Sequence, residues 1–229
     1  MLVDPPAAGD WNLAVDEALL EDTARLWLRF YAWDPPTISL GYFQAAADFA
    51  GEARPLVRRP TGGGAILHAD ELTYCLAVGE DLLPPGPGSY GLVNRALAAA
   101  LAELGVDVSP PRPGPRSGSP WCFADPVGID LVDRHGRKVV GSAQRRRLGR
   151  VLCHGSLLLG RVDDGPQIGA LRELGLRGED RLPEVLAGRI AAALGRGWRR
   201  ADGLPGEVAA RARAIRAERY ADPAWTLRR

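Results

Sequence analysis

Apolar residues recur along this chain at two different periods, and the change of period divides it into a strand-rich stretch and helical segments. Residues 26–32 and 37–40 read as strands separated by the break Asp34-Pro35-Pro36, and 56–59 as a third that runs into Gly62-Gly63-Gly64. Residues 65–68 and 72–78 read as two further strands joined by a tight turn at 69–71. A short strand at 106–108, a hairpin of 129–133 with 137–140 around His135-Gly136, and a last strand at 151–159 complete the set.

The helical period appears first near the N-terminus. Asp10 is placed to cap a helix through Leu20, with Trp11, Val15, Ala18 and Leu19 inward and Glu17 and Glu21 toward water. A brief helical turn is expected at 44–50. The clearest helix opens at Ser89, where Val93, Leu97, Ala100, Leu101 and Leu104 share one face and Gly105 ends it. From about Gln167 onward the chain reads as helices, at 183–194 and 206–219. Strands interleaved with helices and followed by a helical tail predict an α+β fold, with mixed or antiparallel sheets flanked by helices.

Composition narrows the classes. A hydrophobic share of 46% with 25% charged residues excludes wholesale disorder, and 29 basic against 28 acidic side chains give no reason to expect nucleic acid or membrane as partner. The three cysteines are too few for a disulfide framework, and the acidic, proline-containing N-terminus does not read as a signal peptide. A soluble cytoplasmic protein is expected. One domain over residues 1–229 is expected, with the Pro/Gly-rich stretch 109–120 as a flexible loop.

Three strings can carry chemistry. The first is Arg58-Arg59-Pro60-Thr61-Gly62-Gly63-Gly64, ending at His68, whose glycines either make a tight turn or let the backbone approach a ligand. It matches neither a Walker sequence nor a dinucleotide fingerprint. The second is Lys138-Val139-Val140-Gly141-Ser142-Ala143-Gln144. Every basic side chain except Lys138 is arginine, and Lys138 either snorkels from a sheet edge, the stronger reading in isolation, or enters a pocket. The third is Trp121-Cys122-Phe123, where the cysteine is a buried small hydrophobe unless the adjoining loop gives access. Cys75 reads as core, and Cys153 and His154 face opposite ways as strand neighbours. Arg145-Arg146-Arg147 is either a solvated face or a contact for an acidic partner. No Cys-x-x-Cys or His-Glu-x-x-His spacing occurs, so no metal site is expected.

Taken in order, Asn12 to Leu19, Arg58 to His68, Gly136 to Gln144 and His154 to Leu158 resemble the lipoate–protein ligase and octanoyltransferase superfamily, whose catalytic module is shared with biotin ligases. The run Asp70-Glu71-Leu72-Thr73-Tyr74 and the pair Cys122-Phe123 upstream of Lys138 are similar to its cysteine-dependent octanoyltransferases. Cys153 departs from the glutamine common in that group.

The resemblance implies a biotin/lipoate ligase-like fold and octanoyl transfer from acyl carrier protein to a lysine of a lipoyl domain. It implies Cys122 and Lys138 as catalytic residues, forming the acyl-enzyme and stabilising the oxyanion. It places Arg58, Arg59, Thr61, Gly62, Gly63, Gly64, His68, Gly141, Ser142, Ala143, His154 and Gly155 around the substrate; His68 is there either as an orienting group or as a strand-end residue bonded to a backbone carbonyl. Neither metal nor nucleotide would be needed. Two other readings are an ATP- and Mg²⁺-dependent lipoate or octanoate ligase working through an acyl-adenylate, and a non-catalytic acyl-binding protein.

Overall fold

The computed structural model describes residues 1–115, 117–161 and 167–229, and in them a larger and a smaller sheet face each other across a narrow space. The strands are β1 (Leu2–Val3), β2 (Trp27–Tyr31), β3 (Thr37–Leu40), β4 (Leu56–Arg58), β5 (Ile66–His68), β6 (Glu71–Gly79), β7 (Leu131–Val132), β8 (Lys138–Arg147) and β9 (Arg150–Leu158). The larger sheet runs β1-β2-β6-β9-β8-β7, antiparallel except for the β1–β2 pair. The smaller runs β4-β3-β5, with β4 parallel and β5 antiparallel to β3. The tight turn at Ala69-Asp70 therefore does not make a hairpin; the chain leaves one sheet there and enters the other.

The helices are α1 (Gly9–Glu21), α2 (Pro87–Glu103), α3 (Leu182–Ala193), α4 (Gly206–Ile215) and α5 (Pro223–Thr226). Alternation along the strands sorts the core between them. On β6, Tyr74, Leu76 and Val78 pack with Val93, Leu97 and Leu101 of α2 and Leu186 and Ile190 of α3. Cys75 and Ala77 face the other way, toward Leu13, Val15 and Leu19 of α1 and Ala212 of α4. Both faces are covered, which explains why β9 is buried along its whole length, its Arg150, His154 and Ser156 included.

Polar groups fix α1 on the sheet. Asn12 donates to the carbonyls of Ala7 and Ala32 and accepts from Arg29, whose guanidinium also reaches Asp4 and Asp16. Arg29 and Asp16 are fully buried, and burial alone would raise the Asp16 carboxyl; hydrogen bonding by His154 and the positive charge of Arg29 hold it below its ordinary value instead.

Several expectations are corrected. Asp10 lies inside the first turn of α1 rather than capping it. Glu17 is buried, not solvated, because the tail after α4 folds back so that Tyr220 and Arg219 donate to its carboxylate. Residues 106–108 form no strand; only Ser109 bridges to Val132. The strand expected at 137–140 continues to Arg147, and a two-residue turn at Leu148 and Gly149, both at positive φ, leads into β9. The segment just after Gln167 is turn and loop, with a 3₁₀ turn at Glu179–Arg181 and α-helix from Leu182.

Candidate active site

The space between the sheets is a narrow cleft. Strand register builds its floor: Tyr31 lies beside Thr73, Thr73 beside Ser156, and Ser156 beside Gly141. The smaller sheet and the glycine loop roof it with Ser39, Arg59, Gly62, Gly63, Ile66 and His68, while Leu13 and Trp33 wall one side.

Cys122 reaches this cleft through backbone pairing. Ala65 donates to Pro120 and Cys122 donates to Ala65, so the chain leaving the 109–120 stretch adds a short parallel bridge beside the glycine loop. A Cβ on Gly64 would fall 2.8 Å from the Cys122 nitrogen and the Pro120 oxygen, so residue 64 must lack a side chain. Gly63 is at φ +95°, a conformation glycine adopts without strain. Gly63 thus makes a turn, Gly64 lies close against the chain's own backbone at Pro120 and Cys122, and Gly62 faces open space.

Lys138 opens β8 and is 1% exposed, so the sheet-edge reading is wrong. Its ammonium donates to Cys122 Sγ at 3.3 Å and to the Cys122 carbonyl at 3.1 Å, pairs with Asp130 at 2.9 Å, and lies over the Phe123 ring. Burial raises the Asp130 carboxyl, with Lys138 opposing that rise. Such a group can stabilise negative charge on sulfur and on a carbonyl oxygen bound beside it.

The remaining candidates divide. Gly141, Ser142, Ala143, His154 and Gly155 line the cleft, as do Arg59, Gly62, Gly63 and His68. Arg59 is buried with no carboxylate partner among the described residues, donates to backbone oxygens of Ser39, Gly62 and Gly64, and is lowered to about 10 by burial. His68 is satisfied by side chains rather than a backbone carbonyl: Nε2 meets Ser39 Oγ, Nδ1 meets Glu71 Oε1, and the ring stacks on Trp33. Thr61 is bonded to His154, which also meets Asp16, so it closes the cleft from behind. Arg58 does not line the cleft; it holds the carbonyls of Gly41, Gln44 and Thr226.

Asp130, Trp33 and Asp16 were missed. An acidic residue inside a strand otherwise made of Ile129, Leu131 and Val132 was the available signal for Asp130. Cys153 lies on the reverse face, buried near Tyr74 and Gln144. Among the described residues no cluster of three or more metal-ligating side chains occurs, and no helix is long and apolar enough to cross a membrane.

Comparison with known proteins agrees with this architecture. The family model for the lipoyl protein ligase A/B catalytic domain matches residues 9–163. The octanoyltransferase LipM of Kyrpidia tusciae is 36% identical over 96% of this chain and 94% of its own length. That of Symbiobacterium thermophilum is 43% identical over 66% of this chain, which spans 61% of that protein. Among solved structures, Ta0514 of T. acidophilum with bound lipoic acid superposes at a TM-score of 0.85 with 23% identity, covering 100% of this chain and 98% of that one. Lipoate-protein ligase A bound with ATP superposes at 0.82 with 21% identity, covering 99% and 97%. The fold is thus the α+β fold of the biotin and lipoate ligases, and the chain belongs to the lipoyl protein ligase A/B catalytic domain family.

Proposed function

We propose that this chain moves an octanoyl group from acyl carrier protein to a lysine of a lipoyl domain, through a thioester on Cys122. The observation that carries the reading is the 3.3 Å approach of Lys138 Nζ to Cys122 Sγ at the edge of the cleft. In the first half-reaction the sulfur adds to the donor carbonyl, the donor's carbon–sulfur bond breaks, and the carrier leaves as a thiol with the proton from Cys122. In the second, the acceptor amine adds to the enzyme thioester, and the amide forms as the Cys122 thiol is regenerated. The ammonium of Lys138 stabilises the oxyanion in both. The octanoyl tail lies along the floor toward Leu13, Tyr31 and Trp33, where burying about six methylenes at ~0.8 kcal/mol each favours medium chains by roughly 5 kcal/mol before the entropy of ordering. This route calls on neither nucleotide nor metal.

Intact mass after mixing with octanoyl carrier protein is the test. A single octanoyl adduct that is absent in Cys122→Ala supports the reading, and transfer at full rate by Cys122→Ala removes it.

A second reading is favoured by the likeness in fold to lipoate-protein ligase A bound with ATP. In it, free octanoate or lipoate is activated by ATP with Mg²⁺, and Lys138 faces the carbonyl and phosphate oxygens of an acyl-adenylate. Release of AMP from octanoate and ATP, with modification of the acceptor in the absence of carrier protein, separates it from the thioester route.

A further inference from the structure

Several surface arginines of this chain have carboxylate partners, among them Arg172 with Asp70 and Glu179, Arg189 with Glu103, Arg211 with Glu21, and Arg216 with Asp10. One patch instead gathers its arginines around aromatic rings. Arg228 lies between the rings of Tyr42 and Trp225, 3.9 and 3.8 Å from their centroids. Arg145 stands 5.3 Å from the same Tyr42 ring, and Arg229 lies 5.4 Å from Phe43. These three have no carboxylate partner among the described residues; Arg145 and Arg228 donate to the carbonyls of Pro60 and Tyr42. Phe43, in their midst, is 69% exposed. Like charges held together without counter-ions repel, and here aromatic rings and carbonyls hold them in place.

The patch borders the cleft. Tyr42 donates its backbone N–H to Thr61 at the head of the glycine loop, and Gln44 donates to Pro120, two residues before Cys122. An exposed aromatic with a basic rim has the anatomy of a protein–protein contact. The acceptor must bring a cationic lysine, which this patch repels. The thioester donor brings an uncharged reactive group on a carrier.

We propose that Phe43, Arg145, Arg228 and Arg229 form the docking surface for an acidic face of the donor's carrier protein. The inference rests on the thioester reading above. It is tested by the rate of Cys122 acylation, followed by intact mass, with octanoyl carrier protein, octanoyl coenzyme A and octanoyl-pantetheine as alternative donors. The variants are Phe43→Ser, Arg229→Glu and Arg145→Gln, none of which lines the cleft. At low salt the carrier concentration for half-maximal rate rises at least ~10-fold in the charge variants, octanoyl-pantetheine reacts as with the unmodified protein, and added salt narrows the difference. Three results overturn the docking surface: equal losses with all donors, no change with any, or a defect confined to transfer from the acyl-enzyme to the acceptor. A defect shared by carrier protein and coenzyme A assigns the patch to the phosphate of the donor arm instead, and also overturns it. If no donor acylates Cys122 in the unmodified protein, the thioester reading itself fails and the docking surface falls with it.

Discussion

The ammonium of Lys138 is shared between the sulfur of Cys122 at 3.3 Å and the carboxylate of Asp130 at 2.9 Å, inside a pocket that leaves the side chain 1% exposed. A guanidinium needs more room than this arrangement offers. Lys138→Arg is therefore expected to keep its charge and lose at least ~100-fold in turnover, the scale of removing one oxyanion donor. Single-turnover acylation of Cys122 measures it.

Gly141 supplies the space that Lys138 occupies. A Cβ at this position would lie 2.8 Å from Lys138 Cε and 3.3 Å from Phe123 Cζ. Gly141→Ala should push the ammonium out of place and cost on the order of 100-fold in rate. Circular dichroism should show the fold retained; a variant with unchanged turnover would mean that the lysine position is not critical.

Asp16 gives a pH signature. Its carboxyl is held below the ordinary value by His154 and Arg29 against the opposing effect of burial. Its contribution to stability is thus complete above the unfolded value of about 3.9 and is lost as pH falls toward the lower folded value. Asp16→Asn should be less stable by about 3 kcal/mol or more at neutral pH, because it breaks a buried pair. That difference should shrink below about pH 4, as read by denaturant melts at each pH.

Leu13 closes one wall of the cleft from α1 and is 1% exposed. Leu13→Ala should extend the slot and shift acyl preference from eight carbons toward longer chains, at about 2–5 kcal/mol in stability. Competition between donors of different chain length measures the shift, and an unchanged preference would place the tail elsewhere.

The sequence made much of this legible where a residue's surroundings are local. β3 and the core face of α2 follow directly from apolar spacing, whereas α1 is buried nearly all round and its spacing shows only part of that. The second half of β8 did not show itself, since Gly141-Ser142-Ala143-Gln144 and three arginines have no strand pattern; pairing with β9 decides it. Glu17 looked solvated because the segment that buries it lies some two hundred residues further on. Lys138 looked like an edge residue for a similar reason. Asp130, Phe123 and the bridge that carries Cys122 come from the other side of a loop, and no periodicity records that they meet.

The stretch from Ser109 to Pro120 is pinned at one end by the Ser109–Val132 bridge and at the other by the Ala65–Trp121 bridge. Pro120 helps to place the thiol, but the residues around Gly114 take no part in that backbone pairing. A peptide tag or fluorophore grafted near Gly114 should leave catalysis intact, which makes this span a natural handle for immobilising the protein or reporting on its encounters.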